Sequence, residues 1–171
     1  YIHMNLTISV SGGGGLFRFL ISYILCFKHV DNTVTNEPLK ITITDIRSDR
    51  PKPGMHEQIV KTLESLINTG YIKCNPEPKI GLTKITIERT AKYDELDVVV
   101  VTRGSTLLVA QNFIVPLVLL GGKVLIKGVF GGISSPPNLE STLKVLETCD
   151  LLKFLNITLT KNGLLITTTD V

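Results

Sequence analysis

Tryptophan is absent, and Tyr23 and the few phenylalanines fall inside apolar runs, so the sequence offers no visible platform for stacking bases. Cysteine is scarce as well. Cys26, Cys74 and Cys149 are odd in number, far apart and without CxxC spacing, which argues against both a zinc site and a disulfide framework. They read as small apolar residues of a reducing compartment. A membrane-length apolar run is also missing. The longest candidate, 16–30, carries Arg18 and Lys28 and is shorter than the roughly 20 residues a span requires. It reads as a buried core helix. Tyr1-Ile2-His3-Met4 has none of the features of an export signal, so the expected location is cytoplasmic. Nor does one sign of charge dominate: a net charge of +3 permits a nucleic-acid partner without demanding one.

What is present is 43% hydrophobic residues in short Ile/Val/Leu runs, suited to one compact domain or to two small ones sharing a core. Residues 5–10 alternate as a strand, glycines follow, and 16–27 is an apolar helix. A half-buried strand at 39–46 precedes the Pro51, Pro53 and Gly54 break, and 56–68 carries Ile59, Leu63, Leu66 and Ile67 at helical spacing. Strands at 71–75 and 82–90 complete a βαβαββ unit. The order then recurs: strand 96–101, helix 107–120, strand 123–128, helix 139–149, and strands 154–160 and 164–169. The expected fold is α/β, an α+β sandwich of two consecutive βαβαββ repeats at 1–92 and 93–171. Each would be a four-stranded sheet with two helices on one face, the helical faces burying one another. Two successive strands closing each unit argue against a doubly wound nucleotide-binding domain.

Two segments carry candidate chemistry. Ser11-Gly12-Gly13-Gly14-Gly15-Leu16-Phe17-Arg18 joins a strand to a helix, so its amides and the helix N-terminus can approach a phosphate; a tight packing turn explains the glycines equally well. Arg18, one turn into an apolar helix, calls for a specific anionic partner. In Asp45-Ile46-Arg47-Ser48-Asp49-Arg50-Pro51-Lys52-Pro53-Gly54-Met55, three cations lie within six residues on a backbone stiffened by prolines, an anion site in outline. The plainer alternative is a solvated loop whose arginines pair with Asp45 and Asp49. Asp94, Glu95 and Asp97 read as a solvent-facing acidic cluster rather than metal ligands.

These segments, Gly12-Gly13-Gly14-Gly15-Leu16-Phe17-Arg18 followed by Ile46-Arg47 through Met55, resemble the GEGGGQILR and IRxxRPxPGL motifs of the RNA 3'-terminal phosphate cyclase family. Gly104-Ser105-Thr106-Leu107-Leu108-Val109-Ala110-Gln111 is similar to that family's GSxTLVLQ helix start, and the Gly131-Gly132 and Pro136-Pro137 stretch to its GGTxxxxAPP loop. The resemblance implies repeated βαβαββ units and the ATP-dependent conversion of an RNA 3'-phosphate into a 2',3'-cyclic phosphate through a histidine-AMP intermediate. It further implies that Arg18, Arg47, Arg50 and Lys52 meet RNA or phosphate, and that Gly12, Gly13, Gly14 and Gln111 lie at the nucleotide, with ATP and magnesium as cofactors.

The departures shape the functional expectation. Ser11 stands where the family's metal- and ATP-holding glutamate belongs, Gly15 replaces its glutamine, and 160–165 lacks the RxGxxPxGGG pattern. Only the family's first two repeats are matched. None of His3, His29 and His56 matches the nucleophile; His56 alone lies near an anion motif and reads as a surface residue starting a helix. No catalytic residue and no metal ligand are assigned. The expectation is an RNA-binding, catalytically impaired member, of the kind the family uses in ribosome assembly, with a nucleolar location if eukaryotic. An active cyclase completed by a missing half or partner, and a structural module, are the alternatives. The partners expected are an RNA 3' end rather than DNA, and a second copy or larger protein covering apolar surface.

Overall fold

The computed structural model describes residues 5–11, 14–26, 39–90, 95–129, 139–161 and 163–169. Two four-stranded sheets are built the same way. In the first unit β1 (Asn5–Ser9) leads into α1 (Gly15–Cys26), β2 (Lys40–Thr44), α2 (Glu57–Asn68), β3 (Ile72–Asn75) and β4 (Ile85–Arg89), and the strand order is β1-β2-β4-β3. The second unit runs β5 (Leu96–Ser105), α3 (Thr106–Ala110), α4 (Ile114–Leu120), β6 (Gly122–Val129), α5 (Leu139–Thr148), a 3-10 turn at Leu152–Phe154, β7 (Leu155–Thr160) and β8 (Gly163–Thr168). Its order is β5-β6-β8-β7. In both, the first strand pairs parallel to the second and the remaining pairings are antiparallel. The expected pair of βαβαββ repeats is therefore what the chain forms. The expected boundary between 92 and 93 lies outside the described residues.

Period-two patterning sets which face of each sheet is covered. Ile41 and Ile43, Ile85 and Ile87, Leu96, Val98 and Val100, Val124 and Ile126, and Leu164 and Ile166 are all buried. They join Phe17, Ile21, Ile24 and Leu25 of α1, Ile59, Leu63 and Leu66 of α2, and Phe113 and Leu117 in one continuous core. The units are thereby welded: α1 lies against α4, and α2 against α3 and β5. Helix α2 also satisfies the open edge of β5. Glu57 accepts hydrogen bonds from Thr102 Oγ1 at 2.7 Å and from the Arg103 amide at 3.0 Å, while the Asp97 amide donates to Tyr71 Oη at 2.9 Å.

One predicted element is divided. The single helix expected over 107–120 is two, α3 and α4, separated by a turn at 111–113. Pro116 has no N–H to donate to the carbonyl of Asn112, and its ring crowds that carbonyl, so a continuous helix cannot pass. The turn substitutes tighter bonds, Asn112 N to Val109 O at 3.0 Å and Phe113 N to Ala110 O at 2.9 Å. The chain then enters β6 through Gly121 and Gly122, both at positive φ; a Cβ on Gly122 would stand 1.9 Å from the Leu96 carbonyl oxygen. The GGTxxxxAPP-like stretch at 131–137 lies outside the described residues.

Candidate functional site

The cation-rich segment is fixed by its backbone. Asp45 and Arg47 adopt left-handed φ values of 54° and 49°, uncommon for residues with a side chain. Specific bonds hold them there. Asp45 Oδ2 accepts from Ser9 Oγ at 2.7 Å, the Arg47 amide donates to Val10 O at 3.1 Å, and the Gly54 amide donates back to Ile46 O at 2.8 Å. Ile46 and Met55 are buried at the two ends of the loop. Gly54, at φ 91°, lies so close to Gly81 that a Cβ would stand 2.3 Å from the Gly81 carbonyl oxygen. The loop is thus preorganised where the ends of β1 and α2 meet.

Its three cations part company. Arg47 turns inward, half-buried, its Nη1 donating to the carbonyls of Lys52 and Gly54 at 3.4 and 3.3 Å. Arg50 and Lys52 stay exposed. Arg50 lies 3.9 Å from Asp49, so the ion pairing foreseen as the plainer alternative holds for Arg50, while Asp45 binds hydroxyls instead.

Arg18 rises from the first turn of α1, whose buried face carries Phe17, Leu20 and Ile21. Its guanidinium lies over Gly14, where a Cβ would sit 2.7 Å from Nη1 and 3.7 Å from Ile59 Cδ1 in the first turn of α2. A side chain there would push the end of Arg18 aside. Across the junction of the two units, Arg18 Nε donates to Gln111 Oε1 at 2.9 Å. Gln111 follows α3, which Ser105 caps by accepting from the Leu108 amide at 3.4 Å. Two residues of separate motifs, 93 positions apart, are therefore in direct contact. Gly12 and Gly13 lie outside the described residues.

His56 completes the group. It caps α2 with extended backbone but makes no side-chain cap, and its buried Nδ1 has no hydrogen-bond partner among the described residues. Burial, then Arg47, and more weakly Arg18 push its pKa below the ordinary 6.5, with the residue's own backbone and then Glu57 opposing. Burial also lowers the pKa of Arg18, whose very high starting value keeps it charged. Sequence reasoning took His56 for a surface residue, and it is half-buried among the cations. Its position directly after the loop that carries Arg47, at the mouth of α2, is the signal that could have found it.

Arg18 is bonded to Gln111, both Arg18 and Arg47 act electrostatically on His56, and neither half-buried guanidinium has a carboxylate partner among the described residues. Such an excess of positive charge out of bulk water suits a phosphate or another compact anion. The donor set fits a phosphate better than a metal. Glu57 is committed to Thr102 and Arg103, Asp45 to Ser9 and Thr44, and the described residues contain no cluster of His, Cys, Asp and Glu able to hold an ion. Glu95 and Asp97 are exposed.

Two α/β units of the same order, bridged by the Arg18–Gln111 hydrogen bond, define a repeat protein. A model of the RNA 3'-terminal phosphate cyclase family matches residues 12–165, and the chain belongs to that family. No curated protein matches it. Among the described residues no helix is long and apolar enough to cross a membrane.

Proposed function

We propose that this chain binds the terminal phosphate of an RNA 3' end, as a phosphate-reading member of its family rather than a self-sufficient catalyst. The observation that carries this reading is the pair of half-buried guanidiniums, Arg18 and Arg47, neither of which has a carboxylate partner among the described residues. A phosphate entering the seam between the units would be met by the Nη donors of Arg18 and by Arg47, with exposed Arg50 and Lys52 and their charge guiding the approach. Gln111 fixes the plane of the Arg18 guanidinium, which is what bidentate recognition of phosphate needs. Ser11 where the family has glutamate, and the lack of a metal-ready carboxylate cluster among the described residues, support binding over magnesium-assisted nucleotide chemistry. A second copy of the chain, or a larger partner, covers the apolar surface of α1 and α4, and the setting is the cytoplasm or, for ribosome assembly, the nucleolus.

The test compares matched oligoribonucleotides ending in a 3'-phosphate or a 3'-hydroxyl. The phosphorylated end is expected to bind about tenfold more tightly or better, with that advantage gone in Arg18→Ala. Equal affinity for the two ends would sink the reading. Incubation of the 3'-phosphorylated RNA with ATP is expected to give neither a cyclic end nor AMP attached to the protein. Appearance of either would make the chain an active cyclase.

A further inference from the structure

Of the three buried side-chain polar atoms without a partner among the described residues, Thr106 Oγ1, Asn112 Oδ1 and His56 Nδ1, only the last belongs to an ionisable group. His56 Nδ1 is buried, unpartnered among the described residues, and lies at the end of the loop that carries Arg47. Resting on the phosphate-binding reading, we propose that His56 is a third ligand of the phosphate, uncharged while the seam is empty and taking up a proton as the anion enters.

Four observations converge on it. The backbone of His56 is occupied as the cap of α2, its carbonyl accepting from the Val60 amide at 3.2 Å, so the ring is held at the helix mouth. At the same end of α2, Ile59 Cδ1 lies 3.7 Å from where a Cβ on Gly14 would stand, so the first turn of α2, which His56 caps, abuts the glycine that lies under the Arg18 guanidinium. The charged groups acting on the ring are Arg47 from the loop, Arg18 from α1 and Glu57 from α2. Glu57 is the only anion among them, and both its oxygens are held by Thr102 and Arg103. With no anion present, a proton on His56 adds a third positive charge to two that are already uncompensated, and burial disfavours it further.

A terminal phosphate reverses that field. Its negative charge offsets the two guanidiniums and offers an acceptor oxygen to Nδ1–H, so the charged imidazole becomes the favoured form. No bond to phosphorus is made or broken; one proton moves from solvent to imidazole. Because the bound form then has the higher pKa, this part of the affinity is present below that pKa and fades as pH rises through it. The free phosphate monoester, with a second pKa near 6, drives the opposite trend by losing charge in acid, so the RNA alone cannot mimic the effect.

The experiment is calorimetric titration of a short oligoribonucleotide bearing a 3'-phosphate into wild type and His56→Gln, at pH 6, 7 and 8, in phosphate-free buffers of different ionisation heat. The titration of the RNA is common to both proteins, so their difference isolates the histidine. Wild type is expected to take up more protons on binding, and its affinity relative to the variant to rise about three- to tenfold from pH 8 to pH 6. Should His56→Gln not fold, His56→Asn supplies a side chain favoured at a helix cap, and the imidazole proton resonance of wild type follows the same titration directly. RNA bound with equal proton uptake in both proteins, or an imidazole pKa unmoved by RNA, would overturn the role of His56 and leave the phosphate site standing. No binding of the phosphorylated RNA by wild type would overturn both.

Discussion

His56 gives the free protein its own response to acid. The pKa in the fold lies below the ordinary 6.5 because burial and then Arg47 and Arg18 disfavour the charged ring. On acidification the unfolded chain binds this proton first, so the stability present above about pH 6.5 is lost as pH falls toward the folded value. Wild type should therefore lose more melting temperature than His56→Gln between pH 7.5 and 5.5; equal losses would show that the ring is not strained by its neighbours. Arg18 and Arg47 differ in another way. Removing Arg18 takes away one bond to an exposed amide and should weaken RNA binding while leaving stability nearly intact. Removing Arg47 also frees the Lys52 and Gly54 carbonyls and should cost about 1 kcal/mol in denaturant unfolding as well. Among the thiols, burial pushes Cys26 up to about 11 and Cys74 up to about 12, whereas Cys149 is exposed. Cys149 is accordingly expected to be the first labelled by a thiol reagent near neutral pH. At this scale Arg18 was legible because a charge inside an apolar helix is anomalous by itself. Its contact with Gln111 was not, since nothing local relates residues 93 apart.

Among the elements, strands with alternating isoleucines and valines were legible at once: Ile41 and Ile43 of β2, and Leu96, Val98 and Val100 of β5, fill the core as their period requires. Helix α2 declared itself through Ile59, Leu63 and Leu66, and the turn after it through Gly70, which has φ 83°. The break between α3 and α4 was misjudged because a continuous apolar run outweighed Pro116, whose effect falls on the residues before it. The packing of α2 along β5 was invisible too, for the Glu57 carboxylate meets partners 45 and 46 positions away. That contact is testable: Glu57→Ala should cost about 1.5–3 kcal/mol in chemical denaturation by stripping a charged acceptor from Thr102 and the Arg103 amide. A cost near zero would mean that water replaces the carboxylate without loss.

The whole molecule buries one core but leaves apolar surface outside it. Phe19 is 62% exposed on α1 and Leu119 57% on α4, two helices in contact, with Leu16, Tyr23 and Val115 also exposed. Self-association is expected in sedimentation, reduced by Phe19→Lys with Leu119→Lys, and a monodisperse wild-type monomer would count against it. The duplication itself was legible because each unit ends in two successive strands, a pattern that local periodicity reveals. Which helices would face each other was not, because that depends on surfaces that only the assembled sheets create.

The bond from Arg18 to Gln111 joins the first unit to the second, so an anion held there is held by both. Such a ligand cannot stabilise one half and leave the other indifferent: at a hundred times its dissociation constant it adds about 2.7 kcal/mol to a single cooperative unfolding event. Under the proposed reading the seam is a latch, and a bound anion would be the pin that holds its two sides shut.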